Sequence, residues 1–170
     1  MARLYYTVIP RLPDRKAMRE AEHRAGRQLL RDVLGCDASQ VLIREDGKPY
    51  LPNGPFFSIS HADGMVLLAV SGLGEIGCDV ERADRPLRNP EAIRRKIVQP
   101  GEEDVPLLTL WVKKEAVFKA GGLGRVYYPV MPVGYIAAVC CRAEEELESP
   151  RLPKALLRKG LGREAPASGG

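Results

Sequence analysis

Three carboxylates, a histidine and a few lysines stand in patterns that could do chemistry. In IGCDVE, residues 76–81, apolar and polar side chains alternate. On a strand that puts Ile76, Cys78 and Val80 on one face and Asp79 and Glu81 on the other. Two carboxylates two residues apart converge on one spot, as ligands for a hard cation must. Taken alone, the alternation fits a strand with a polar outer face at least as well.

The helical stretch LLTLWVKKEAVFKAGG, residues 107–122, places a third carboxylate. Helical geometry puts Leu108, Trp111, Val112, Phe118 and Lys119 on the side of Glu115. A carboxylate on the most apolar face is costly unless it is paired or binds a metal. Lys119, one turn on, could pair with it, and Trp111 is expected to bury beside it. The plainer account is a surface Glu–Lys pair contributing about 0.3–0.5 kcal/mol. A face carrying Trp and Phe is a poor place for one.

His61 is one of two histidines and follows Ser60 in SISHAD. The two could hold a phosphate through imidazole and hydroxyl donors. They do not suit a Ser–His hydrolase, because neighbours on a strand face opposite ways and no GxSxG elbow occurs. Gly47, Lys48, Pro49 and Tyr50 make a turn whose backbone could approach a flat ligand. No phosphate-binding GxxxxGK[ST] loop or GxGxxG fingerprint accompanies them.

These residues need a scaffold. Residues 3–9 read as a strand and 14–34 as an amphipathic helix with Ala17, Ala21, Ala25, Leu29, Val33 and Leu34 inward, ended by Gly35. Residues 40–44 suggest a strand before a turn-rich loop. FFSIS and MVLLAVS read as strands joined tightly by HADG. A short helix over 89–98, a clearer one over 107–120 and a last strand over 133–141 follow. From Ser149 the chain reads as a basic, Pro- and Gly-rich mobile tail, with KALLRK as its one helical stretch.

The bounds are ordinary. A chain of 170 residues, 45% apolar and 28% charged, suits one soluble domain. A net charge of +4 does not point to nucleic acid and is compatible with an anionic ligand or an acidic protein partner. No stretch reads as membrane-spanning or as a secretory leader. With no CxxC pair, Cys36, Cys78, Cys140 and Cys141 are expected to be reduced thiols in a cytoplasmic protein.

The order GKPY, FFSISHADG, GCDVE, WVKKEAVFKAGGLG resembles the 4′-phosphopantetheinyl transferase superfamily, most closely its Sfp-type branch. GCDVE is similar to the family's G-[ID]-D-[IV]-E, and WVKKEAVFKAGG to its W-x-x-K-E-A-x-x-K-x-x-G. The resemblance implies an α+β fold of two similar halves, about 1–74 and 75–148, related by a pseudo-twofold, within one catalytic domain of 1–148. It implies transfer of 4′-phosphopantetheine from coenzyme A to a serine of an apo acyl or peptidyl carrier protein, with magnesium, by a monomer. Asp79, Glu81 and Glu115 would be the metal carboxylates, Glu115 also the base for the acceptor serine. Asp79 would thereby also face the bound coenzyme A. Lys114 and Lys119 would contact the pyrophosphate. Ser60, His61 and Arg24 would bind the 3′-phosphate of coenzyme A, with Arg15 and Lys16 as further candidates. Gly47, Lys48, Pro49 and Tyr50 would border the adenine. Glu102, or else Glu103, would match an acidic position between the late motifs. The family's SHS is Ser60–His61–Ala62 here, and the stretch between Glu81 and Trp111 is short. A non-catalytic relative that binds coenzyme A or a carrier, and an unrelated magnesium-dependent nucleotide hydrolase, are the rival readings.

Overall fold

The structure, a computed structural model, describes residues 1–154. Strand β1 (Arg3–Val8) is followed by helix α1 (Arg15–Leu34), which Asp14 opens by accepting from the Ala17 N–H at 2.9 Å and Gly35 closes in the left-handed conformation. The short strands β2 (Leu42–Ile43) and β3 (Pro49–Tyr50) flank a turn in which Gly47 has φ 84°. Next come β4 (Phe56–Ala62), β5 (Met65–Ser71) and β6 (Ile76–Arg82), then helices α2 (Pro90–Ile97) and α3 (Leu107–Lys119), and last β7 (Arg125–Tyr127) and β8 (Tyr135–Cys141). HADG is partly strand: His61 and Ala62 belong to β4, and only Asp63 and Gly64, both at positive φ, make the turn.

Two three-stranded antiparallel sheets result, ordered β1-β5-β4 and β6-β8-β7, beside the two-stranded β2-β3. This is an α+β fold. Leu4, Met65, Leu67 and Ala69 of the first sheet meet Ile76, Cys78, Val80, Val139 and Cys141 of the second in one core. On the other side of β5, Val66, Leu68 and Val70 join Phe57 under Leu29 and Leu30 of α1. β5 is therefore buried on both faces, which is why MVLLAVS shows no alternation. Helix α3 covers the far side of the second sheet through Val112, Ala116 and Ala120 against Ala138 and Cys140.

At the β4/β6 edge the sheets are stitched by serine side chains. Ser58 Oγ accepts from the Cys78 N–H at 3.1 Å, and Ser60 Oγ from the Val80 N–H at 3.3 Å.

Three expectations change. The buried stripe of α1 keeps the expected Ala21 and Leu29, with Ala25, Val33 and Leu34 packed at its edge, but widens to Met18, Glu22, Gly26 and Leu30 on one side. Phe118 is 72% exposed and Trp111 only half-buried, because α3 turns its small residues rather than its aromatics to the sheet. The segment from Ser149 starts packed: Arg151 N–H donates to Leu4 O at 3.1 Å, Tyr6 N–H donates to Arg151 O at 3.0 Å, and the Arg151 guanidinium lies 5.0 Å over the Tyr5 ring. The rest of the expected tail, 155–170 with most of KALLRK, lies outside the described residues. Among the described residues, no helix is long and apolar enough to cross a membrane.

Candidate functional site

The polar face of β6 lies under α3, not in solvent. Gly77 makes this contact possible, since a Cβ there would fall 2.0 Å from Ala116 O and 2.5 Å from Ala120 N. With no side chain between them, helix and strand approach closely and Lys119 reaches across. Its Nζ donates to Asp79 Oδ1 at 2.8 Å and to Cys78 O at 3.1 Å. The pair that the helix spacing suggested, Lys119 with Glu115, gives way to this one, because the Asp79 carboxylate is buried at the contact. Asp79 Oδ1 also accepts from Ser60 Oγ at 3.1 Å, while Asp79 Oδ2 is buried without a hydrogen-bond partner. Such an orphaned oxygen is costly.

The other two carboxylates border the same spot. Glu81 is ion-paired with Arg85. Burial pushes its carboxyl above the ordinary range and Asp79's charge adds to this, against the opposing pull of Arg85 and Lys119. Glu115 is half-buried and makes no hydrogen bond among the described residues, and its charge acts on Lys119. Burial works against the Lys119 ammonium, yet Asp79 and Glu115 together hold its pKa above the usual lysine value. As they stand, no three His, Cys, Asp or Glu side chains among the described residues are gathered tightly enough to hold a metal. The orphaned Asp79 oxygen is nonetheless a donor that a hard divalent cation satisfies, and in that respect Asp79 fits such an ion, with Glu81 and Glu115 as the carboxylates that would join it.

The remaining candidates are spread out. Ser60 points into the seam toward Asp79, whereas His61 points the other way. His61 Nδ1 lies 2.8 Å from Glu22 Oε2, and its ring stands edge-on to His23 at 5.6 Å. His61 and Glu81 line one cleft of about 610 Å³ together with Arg15, Arg19, Arg82 and Arg85. Arg24 is exposed and sits two residues from Glu22, roughly 200° around the helix, so it is not brought to this cleft. Lys114 is exposed and lies 5.2 Å over the Trp111 ring, apart from Lys119.

Lys48 donates to Glu75 Oε2 at 2.7 Å and to Ile76 O at 2.8 Å, pinning its loop to the start of β6. With Pro49, Tyr50, Phe56 and Glu75 it lines a second cleft of about 170 Å³. The hydrogen bonds from Arg44 and Lys48 overcome burial and hold Glu75 below the usual carboxylate range. Glu102 pairs with Lys113 of α3, whereas Glu103 accepts from the Gly101 N–H.

Arg19, Arg82, Arg85, Glu22 and Glu75 escaped the sequence reading. Glu22 had a signal: it interrupts the true apolar stripe, as Glu115 was thought to do. The arginines and Glu75 had none, since exposed charges are common.

No protein-family model matches the chain. Curated relatives do. AcpT of Escherichia coli (strain K12), a 4′-phosphopantetheinyl transferase, is 34% identical over 110 residues, covering 58% of this chain and 56% of that protein. The chain is similar to 4′-phosphopantetheinyl transferases. HetI of Nostoc sp. (strain PCC 7120) is 31% identical over 129 residues, covering 61% of this chain and 54% of its own. The transferase gsp of Aneurinibacillus migulanus is 30% identical over 114 residues, covering 61% and 47%. The matches thus span about half the length of these relatives.

Proposed function

We propose that the protein is an enzyme that transfers the 4′-phosphopantetheine group of coenzyme A to a serine of an apo acyl or peptidyl carrier protein, using magnesium. The observation that carries this reading is Asp79 on β6, with one oxygen orphaned, set beside Glu81, Glu115 and the α3 lysine Lys119. The similarity to named transferases supports it. A carrier-protein partner and action as a monomer in the cytoplasm belong to the same reading.

In the reaction, the acceptor serine oxygen bonds to the β-phosphorus of coenzyme A. The bond from that phosphorus to the bridging oxygen breaks, and 3′,5′-ADP leaves. Asp79, Glu81 and Glu115 would hold the magnesium, which supplies charge neutralisation at the pyrophosphate when bound. Glu115, directly or through a water, takes the serine proton. Lys119, kept charged by its carboxylate neighbours, stabilises the developing negative charge, and Lys114 stands ready on the exposed side of α3. The cleft with His61, Arg15 and Arg19 would receive the 3′-phosphate. The loop of Gly47, Lys48, Pro49 and Tyr50 would border the adenine, with coenzyme A lying between two halves related by a pseudo-twofold.

Incubation with coenzyme A, magnesium and a panel of apo carriers, read by intact mass, tests this. A carrier heavier by one phosphopantetheine, lost on chelation, is the expected result. Coenzyme A bound without transfer would point to a non-catalytic relative, and release of inorganic phosphate with no carrier modified would point to a hydrolase.

A further inference from the structure

We infer that Glu22 is the positioning residue of His61, and that the two form a carboxylate–imidazole pair whose Nε2 is presented to the arginine-lined cleft. The inference rests on the reading above in which His61 meets the 3′-phosphate, and it assigns the group that makes His61 fit for that task.

Glu22 stands in the apolar stripe of α1 with its side chain 6% exposed. A carboxylate there costs free energy that an apolar residue would not. Both its oxygens are used. Oε1 accepts from the Gly64 N–H at 2.9 Å, and Oε2 lies 2.8 Å from His61 Nδ1. An ionised carboxylate only accepts, so Nδ1 must carry a hydrogen. That leaves Nε2 as the outward nitrogen of a side chain 41% exposed. A neutral ring held this way turns a lone pair to the cleft, whereas a protonated ring turns an N–H. Glu22 accepts from Nδ1–H in either form of the ring, and a phosphate arriving among Arg15 and Arg19 meets a donor only in the form that carries the Nε2 N–H.

The backbone around His61 is held from three directions. Gly64 O accepts from the Ile9 N–H at 2.7 Å, Asp63 O accepts from the Tyr135 hydroxyl at 2.9 Å, and Gly64 N–H is the Glu22 contact. The turn is therefore rigid without the His61 contact, and the second oxygen of Glu22 is free to orient the ring. A histidine held on one nitrogen by a buried acceptor is the usual way proteins fix which nitrogen faces a ligand.

The test uses the full chain and two donors, coenzyme A and dephospho-coenzyme A, with an apo carrier as acceptor. Glu22→Gln should lower the preference in kcat/KM for coenzyme A over dephospho-coenzyme A by about fivefold to tenfold, mainly through KM. The same substitution made in His61→Ala should lower that preference no further, since there is then no ring to orient. A purely structural Glu22 would weaken both donors alike. An equal loss with the two donors, or a further loss of preference in the His61→Ala background, would overturn the inference and leave the proposed function standing. If His61→Ala itself leaves the donor preference unchanged, the placement of the phosphate at His61 fails, and the inference with it. An NMR reading needs no substitution. Long-range 15N–1H spectra of wild type, taken at a pH where His61 is neutral, should show the Nδ1–H tautomer. The Nε2–H tautomer would overturn the pairing.

Discussion

Helices α1 and α3 each cover one face of a three-stranded antiparallel sheet, but they are held by residues of different size. α1 meets its sheet through Leu29 and Leu30 against Phe57, Val66 and Leu68. α3 meets its own through Val112, Ala116 and Ala120 against Ala138 and Cys140, with the bare backbone of Gly77 beneath it. Large interdigitating side chains make a stable spacer. Small ones let backbone approach backbone, and this brings a lysine on one element to a carboxylate on the other. The helix with ordinary packing carries the cleft expected to grip the donor, and the helix drawn in closely carries the groups expected to do chemistry.

The widest test of that contrast is a pair of glycine substitutions. A Cβ at Gly77 collides with the backbone of α3, which cannot turn aside as a side chain can. Gly77→Ala should cost about 3 kcal/mol or more, or abolish folding. A Cβ at Gly26 in α1 meets only side-chain ends, Ile59 Cδ1 at 3.2 Å and Val66 Cγ1 at 3.9 Å. Gly26→Ala should change stability by less than about 1 kcal/mol, because helix propensity offsets the crowding. Urea denaturation of both variants reads the difference, and equal costs would break the comparison.

Next in size is Asp79→Ala. It removes the charge partner of Lys119, leaving its ammonium only the Cys78 carbonyl, and the acceptor of the Ser60 hydroxyl, in a mostly buried place. A loss of about 1–3 kcal/mol is expected, together with a fall in carrier modification of more than about a hundredfold. Thermal melting and intact mass read the two separately. Retained transfer with lowered stability would reduce Asp79 to a structural anchor.

The aromatic residues of α3 sharpen the orientation of the helix. Phe118→Ala should cost under about 0.5 kcal/mol, since the ring is 72% exposed. Trp111→Ala should cost about 1–3 kcal/mol, less than a fully buried tryptophan would. The reverse ranking by chemical denaturation would mean that α3 is rotated on its sheet.

The smallest effect concerns Glu81. Its carboxyl holds a proton more tightly folded than unfolded, chiefly through burial. Its ionisation therefore subtracts from stability as pH rises through the ordinary glutamate pKa to the raised folded one, and the loss persists above that window. Without divalent cation, Glu81→Gln should be as stable as wild type near pH 3. Near neutral pH it should be more stable by up to about 1 kcal/mol. Magnesium should reverse the ranking, and melting curves at both pH values with and without the ion check the sign.

Much of the scaffold was legible because its signals are local. The alternation in IGCDVE, the Asp14 and Gly35 ends of α1 and the glycine pair after Lys119 each act within a few residues. Glu115 stands out in the sequence as a charge on an apolar face, whereas the alternation that carries Asp79 and Glu81 fits an ordinary half-exposed strand as well. The face of each helix is legible only in part. On α3, Val112 is buried as its place in the stretch implies, but Phe118 is exposed and Trp111 half-buried, because the tight contact at Gly77 brings Ala116 and Ala120 to the sheet. On α1, Ala21 and Leu29 are buried as the spacing implies, and the packed sheet adds Met18, Glu22, Gly26 and Leu30.

By itself, the sequence determined the order and type of the longer elements, the tight connection within HADG and the alternation that separates Asp79 from Cys78, though not the short strand at Pro49–Tyr50, which it shows as part of a turn-rich loop. These follow from backbone preferences and from the periods of strand and helix, which neighbouring residues set among themselves. Only the tertiary structure decided partners. Lys119 takes Asp79, 40 residues away, rather than Glu115 one turn back. Ser60 faces the seam while His61 faces Glu22, and Arg15 and Arg19 reach the cleft that Arg24 does not. The physical reason is that a charged side chain settles against whatever complementary group the packed elements bring within about 3 Å, and that distance is set by side-chain sizes elsewhere in the core.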